Sequence, residues 1–222
     1  MKIIGHRGAK GLALENTIAS IQKAIDCGVD EVEIDARITS DGIIVLNHDA
    51  TLKNKTERPL EIKSRTFAEL KILYPHLTTL EDAIIMVNRR VPLMIEIKKG
   101  VPTDSIINLI KDFLSKGWAT SDFSFTSFSQ NILRELHRAL PEIPIVIDEL
   151  WSGVRARMRA RELHTKRINM LTWWVWRGYL IAMARQGYQI TPYSLNNLRR
   201  AKRWEKYLYG VITDRPDLFT RK

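Results

Sequence analysis

The 222-residue chain contains a single cysteine, Cys27, so it forms no intrachain disulfide and lacks the staples of small secreted folds. Cys27 falls late in a helical pattern, where a thiol serves as a small apolar residue. Long hydrophobic runs are also missing. The most apolar stretches, Gly42 to Leu46 and Met170 to Trp176, fall far short of the roughly 18 residues of a membrane span. The opening Met1-Lys2-Ile3-Ile4 is broken by Gly5-His6-Arg7 before it reaches the about 7–15 apolar residues of a signal-peptide core. The expectation is a soluble, cytoplasmic protein. No linker or low-complexity tract interrupts the chain, which predicts one domain over residues 1–222.

Acidic residues are scarce only at one end. Residues 1–150 carry 19 basic and 21 acidic side chains, whereas residues 151–222 carry 16 and 4, so the net charge of +10 lies wholly in the last third. Such polarity suits a polyanion or an anionic lipid surface as partner. Arg155, Arg157, Arg159 and Arg161 form two i,i+4 stripes on a predicted helix, and Arg199, Arg200, Lys202 and Arg203 would extend one positive sector of the surface. The plain alternative is a set of solvated helix faces.

Strand-like and helix-like segments alternate throughout. Strands are predicted at Lys2 to Gly5, Glu31 to Ile38, Leu93 to Ile97, Phe123 to Thr126, Ile145 to Ile147, Ile168 to Thr172, Tyr188 to Thr191 and Gly210 to Ile212. Helices follow all but the last, with predicted spans that include Leu80 to Val87, Asp104 to Leu114, Leu180 to Arg185 and Leu198 to Leu208. Asp41-Gly42 marks a hairpin-like insertion after the second strand. Eight βα units imply an α/β fold, a compact (β/α)8 TIM barrel, with an open doubly wound sheet as the alternative.

The second strand places Glu31, Glu33, Asp35 and Arg37 on one face and Val32, Ile34 and Ala36 on the other. Since the apolar set must meet the helices, the charged set points into the barrel. The third strand repeats this with Met94, Glu96 and Lys98. Buried charges are costly unless paired or bound to metal. Glu33, Asp35 and Glu96 together would therefore hold a hard divalent cation, Mg²⁺ or Ca²⁺, with Mn²⁺ a further candidate. Internal ion pairs with Arg37 and Lys98 are the competing account. His6 and His48, at the mouth ends of their segments, suit general acid and base roles. Arg7 offers a fork for phosphate oxygens and Lys98 a point charge. This combination suggests phosphodiester cleavage.

The motifs also follow one another in a familiar order. His6-Arg7-Gly8, Glu15-Asn16-Thr17, Glu33-Ile34-Asp35, Asp41-Gly42, His48-Asp49 with Thr51-Leu52, Glu96-Ile97-Lys98, Ser127-Phe128 and Gly210-Val211-Ile212-Thr213-Asp214-Arg215-Pro216 resemble the signature of the glycerophosphodiester phosphodiesterases over residues 3 to 217. The resemblance implies a (β/α)8 barrel that uses a divalent cation to hydrolyse glycerophosphodiesters to glycerol 3-phosphate and an alcohol. It implies catalytic roles for His6 and His48, phosphate binding by Arg7, metal ligation by Glu33, Asp35 and Glu96, and substrate contact by Lys98. Two departures stand out. Lys53-Asn54-Lys55 replaces an acidic residue and an arginine ahead of a short stretch to Leu80, and Tyr193-Ser194-Leu195-Asn196 replaces Trp-Thr-x-Asn. The second swap keeps an aromatic wall and a hydroxyl.

Trp173, Trp174 and Trp176 are expected to place two indoles against the core or helices and one at the pocket. A lysophospholipase D or another phosphodiester-cleaving barrel is an alternative activity. A non-catalytic anion- or nucleic-acid-binding protein would explain the charge but leave the histidines and inward carboxylates idle.

Overall fold

A computed structural model describes residues 1–52 and 59–219, so Lys53-Asn54-Lys55 lies outside the described residues. The strands are β1 (Lys2–Gly5), β2 (Glu31–Ile38), β3 (Ile44–Leu46), β4 (Leu93–Ile97), β5 (Phe123–Ser127), β6 (Ile145–Glu149), β7 (Arg167–Leu171), β8 (Gln189–Tyr193) and β9 (Gly210–Thr213). The helices are α1 (Ile18–Asp26), α2 (Phe67–Leu73), α3 (Leu80–Val87), α4 (Thr103–Ser115), α5 (Gln130–Ala139), α6 (Gly153–Glu162), α7 (Arg177–Arg185) and α8 (Leu198–Trp204). All strands but β3 form one parallel sheet in the order β8-β7-β6-β5-β4-β2-β1-β9. Bonds from Leu195 N to Ile212 O (2.9 Å) and Tyr209 N to Ile190 O (3.0 Å) tie its two ends together. The fold is the expected (β/α)8 barrel. β3 is the expected hairpin arm, antiparallel to β2 with Ile38 opposite Ile44.

The face parity follows the sequence alternation. Val32, Ile34, Ala36, Leu93, Ile95 and Ile97 are fully buried in the layer shared with the helices. Inside the barrel the side chains stack in layers. At the end where the strands begin, Glu31 pairs with Arg167 (2.7 Å) and accepts from Ser124 (2.8 Å). Above them Ile4, Met94, Val146 and Ile212 form an apolar layer. The third layer, at the ends of the strands, is polar and acidic.

Glycines set how closely α1 approaches β1. A Cβ on Gly8, whose φ is +80°, would lie 2.5 Å from Ser20, and one on Gly5 would lie 2.6 Å from the Gly8 carbonyl. Thr17 caps α1 in a reciprocal box with Ser20.

Several elements differ from expectation. β6 and β8 each run two residues further, through Glu149 and Tyr193. α7 begins at Arg177 rather than Leu180, and α8 tightens into a 3-10 turn at Glu205–Tyr207. The insertion between β3 and α3 contains the unanticipated α2 and its own apolar cluster of Val45, Leu52, Ile62, Leu70, Tyr74 and Leu77. The Trp173 to Trp176 run does not pack inward: all three indoles are exposed, because they follow β7 in a loop with no layer above it. The arginine stripes of α6 are also unequal. Arg155 forks onto Glu149, with bonds of 2.7 and 2.5 Å, and Arg159 bonds Gln130 and the carbonyls of Asp148 and Ser127. Arg159 is therefore largely buried among structural partners, while Arg155, still exposed, is tied to Glu149.

Candidate active site

The acidic layer opens at the C-terminal mouth of the barrel into a cavity of about 400 Å³, lined by His6, Arg7, Glu33, His48, Glu96, Asp148 and Tyr193 among others. Barrel enzymes build their sites at this end. Several motifs of the sequence have a structural task there. Arg7, in the left-handed region at φ 50°, turns the chain out of β1 so that its amide donates to Glu33 (2.8 Å). Its guanidinium reaches Glu15 (3.1 Å) and Asp35 (3.3 Å). Burial opposes the Arg7 charge, but Asp35, Glu33 and Glu15 more than offset it and hold its pKa up. Asn16 clasps Asp35 from both sides, donating to its carboxylate (2.8 Å) and accepting from its amide (3.1 Å).

Glu33, Asp35 and Glu96 are all buried, and one ligand oxygen from each lies within 4.8 Å of the others. Lys98 reaches two of them, 2.7 Å from Asp35 and 2.5 Å from Glu96. Its ammonium is thus committed to the acidic cluster and does not line the cavity. Lys98 and Arg7 keep Asp35 ionised, below the usual carboxylate range despite its burial. Glu96 is pushed up to about 8 by burial and by Asp148, and Glu33 is raised by burial and by the charges of Asp35 and Glu96. Internal pairing, the competing account of the sequence, therefore satisfies Asp35 but not the whole cluster. The uncompensated charge and the hard oxygen donors fit a divalent cation.

Each histidine has a carboxylate behind it. His6 Nδ1 is 2.5 Å from Asp214 and 3.0 Å from the Ser194 hydroxyl. His48 Nδ1 is 2.8 Å from Asp49, and Arg37 donates to the His48 carbonyl at 2.6 Å. These bonds assign the proton to Nδ1 and leave Nε2 of each ring for the cavity that both histidines line. Burial, with Lys98 and Arg7 close by, lowers the pKa of His48 against the opposing pull of Asp35 and Asp49.

Sequence reasoning missed several partners. Asp148 and Asn169, bonded at 2.9 Å, complete the polar layer beside Glu96. Asp148 shares the parity of the inward Val146, and that alternation was the available signal. Asn196 holds Asp214, donating to its second oxygen at 2.9 Å. The Tyr193-Ser194-Leu195-Asn196 departure thus supplies a cavity wall, a hydroxyl on His6 and the anchor of Asp214.

Paired histidines, an arginine and an acidic cluster at a barrel mouth are the parts a phosphodiester hydrolase needs. Residues 6–218 match the model of the Glycerophosphoryl diester phosphodiesterase family, and the chain belongs to that family. Among relatives, the glycerophosphodiester phosphodiesterase of Caldanaerobacter subterraneus subsp. tengcongensis is 26% identical over 245 residues, covering 97% of this chain and 94% of its own. The lysophospholipase D of Homo sapiens is 34% identical over 111 residues, covering 47% of this chain and 34% of its own. The structure of an Oleispira antarctica phosphodiesterase, in complex with the product sn-glycerol-3-phosphate, superposes with a TM-score of 0.87 at 26% identity, covering 98% of this chain and 94% of that one.

Proposed function

We propose that the chain, working as one barrel domain, hydrolyses glycerophosphodiesters to glycerol 3-phosphate and an alcohol. The observation that carries this is the pair of histidine–aspartate couples at one cavity above a buried acidic cluster. The product complex of the similar Oleispira antarctica enzyme supports glycerol 3-phosphate as the product here.

His48, held unprotonated near neutrality, takes the proton from the attacking oxygen. His6, oriented by Asp214 and Ser194, delivers a proton to the departing alcohol oxygen. Arg7 meets the phosphoryl oxygens at the cavity wall, while Lys98 balances Asp35 and Glu96. Glu33, Asp35 and Glu96 would hold Mg²⁺, Ca²⁺ or Mn²⁺, which supplies Lewis-acid stabilisation of the charge developing on the phosphoryl group.

Phe128, Leu150 and Leu171 give the cavity an apolar side, which favours monoacyl substrates as a second reading. Hydrolysis of glycerophosphocholine, lysophosphatidylcholine and bis(p-nitrophenyl) phosphate, each with Mg²⁺, Ca²⁺, Mn²⁺ or EDTA, separates the readings. Release of glycerol 3-phosphate, abolished by EDTA, is the expected result. Turnover of the aryl diester alone would overturn both.

A further inference from the structure

Four of the six tryptophans stand in two adjacent loops of the barrel mouth, and the proposed reaction uses none of them. Trp151 follows β6, Trp173 and Trp174 lie in the 3-10 turn after β7, and Trp176 directly precedes α7. Their exposures are 60, 89, 47 and 64%. Phe128, after β5, is 43% exposed and also lines the cavity. Because β5, β6 and β7 are neighbours in the sheet, these rings form one ridge that runs to the edge of the site.

The loops are held in place. Buried Glu149 accepts from the amides of Leu150 and Trp151, each at 2.9 Å. Arg200 donates to the carbonyls of Thr172 and Val175, one on each side of the Trp173–Trp174 turn. Trp151 and Trp174 meet edge to face at 6.1 Å. Indoles kept in water by a rigid support mark an interaction surface.

The charge around the ridge indicates the occupant. α6, α7 and α8 carry ten Lys and Arg side chains and one acidic residue, Glu162. Arg177 and Arg199, in the first turns of α7 and α8 and so at the mouth end of these helices, are exposed. An indole has an apolar body and a polar N–H, which suits the boundary between headgroups and acyl chains. Arginines beside it gain from anionic headgroups. We infer that the ridge docks the enzyme on an anionic lipid bilayer, with the cavity mouth turned toward the headgroups. This holds whichever diester the site cleaves.

The test uses the whole chain with vesicles of phosphatidylcholine alone or mixed with phosphatidylglycerol. Wild-type protein is expected to co-sediment with the anionic vesicles, and lipids brominated along the acyl chain are expected to quench its tryptophan emission. Trp173→Ala with Trp176→Ala is expected to lower partitioning about tenfold or more, while hydrolysis of dissolved glycerophosphocholine is unchanged. Vesicle binding is read without turnover, so a failed assay of activity leaves this result standing. Equal partitioning to both vesicle types, absence of quenching, or binding unaffected by the tryptophan changes would each overturn the inference. Concentration-dependent dimerisation lost in the same variant would assign the ridge to a second copy of the chain and overturn it as well.

Discussion

His6 Nδ1 lies 2.5 Å from Asp214 Oδ1, a contact that joins the end of the first barrel strand to the segment after the last. Burial works against the Asp214 charge, but the bonds from His6 and Asn196 hold its carboxyl well below the usual range. It stays ionised and acts as a positioning residue for the His6 ring. Asp214→Asn is expected to lower kcat about 10²-fold or more with KM nearly unchanged. Steady-state kinetics beside thermal melting checks this: a lower melting temperature with normal kcat would reduce Asp214 to a structural role.

The division of labour between the histidines has its own signature. A proton donor matters most when the leaving alkoxide is a poor one, so His6→Ala is expected to lose about 10²-fold or more on glycerophosphocholine. It should lose far less on a diester with a p-nitrophenyl leaving group. His48→Ala, which removes the proposed base, is expected to impair both substrates alike. Equal losses for His6→Ala on the two substrates would reverse or remove its assignment as the acid.

Burial and the Lys98 charge lower the pKa of His48, so its acid limb in kcat/KM is expected below the ordinary imidazole value of about 6.5. The sign also carries over to stability. The folded chain binds this proton less readily than the unfolded one, so the contribution of His48 is complete above the unfolded value. It is lost as pH falls through the window between the unfolded and the lower folded value. A pH–rate profile checks the first point; a limb at or above 6.5 that survives His48→Gln would exclude this residue as the base.

Asn16 does not line the cavity, yet it clasps Asp35 from both sides at 2.8 and 3.1 Å. Asn16→Ala is expected to weaken apparent cation affinity about 10- to 100-fold, as for other groups that orient a metal ligand. Glu33→Gln should weaken it at least as much. Titration calorimetry with Mn²⁺ measures both without turnover, and an unchanged binding curve for Glu33→Gln would remove that residue from the ligand set.

The alternation of Glu31, Glu33 and Asp35 with Val32, Ile34 and Ala36 made the acidic face of β2 legible in the sequence, because period 2 leaves only one way to bury the apolar set. Met94 and Glu96 of β4 followed by the same rule. Asp148 and Glu149 did not, since charges at the end of an apolar run read as loop until the barrel encloses them. The His6–Asp214 contact spans 208 residues and exists only once the barrel closes. The Trp173 to Trp176 run misled because large apolar side chains are mostly buried, whereas no helix layer covers the loop after β7.

At the opposite end of the barrel, buried Glu31 pairs with the half-buried Arg167 at 2.7 Å, and Ser124 donates to the other Glu31 oxygen at 2.8 Å. Arg167→Met leaves a carboxylate inside the barrel without its cation, which is expected to cost about 3–5 kcal/mol. Adding Glu31→Met removes the stranded charge as well. Since desolvation of two ions cancels much of what their attraction contributes, the double variant is expected to recover most of that loss. Urea denaturation midpoints measure the difference, and kcat of the folded fraction should stay at the wild-type level because the pair lies below the apolar layer of Ile4, Met94, Val146 and Ile212. A double variant no more stable than Arg167→Met would show that packing of the arginine stem, rather than charge compensation, is what this layer requires.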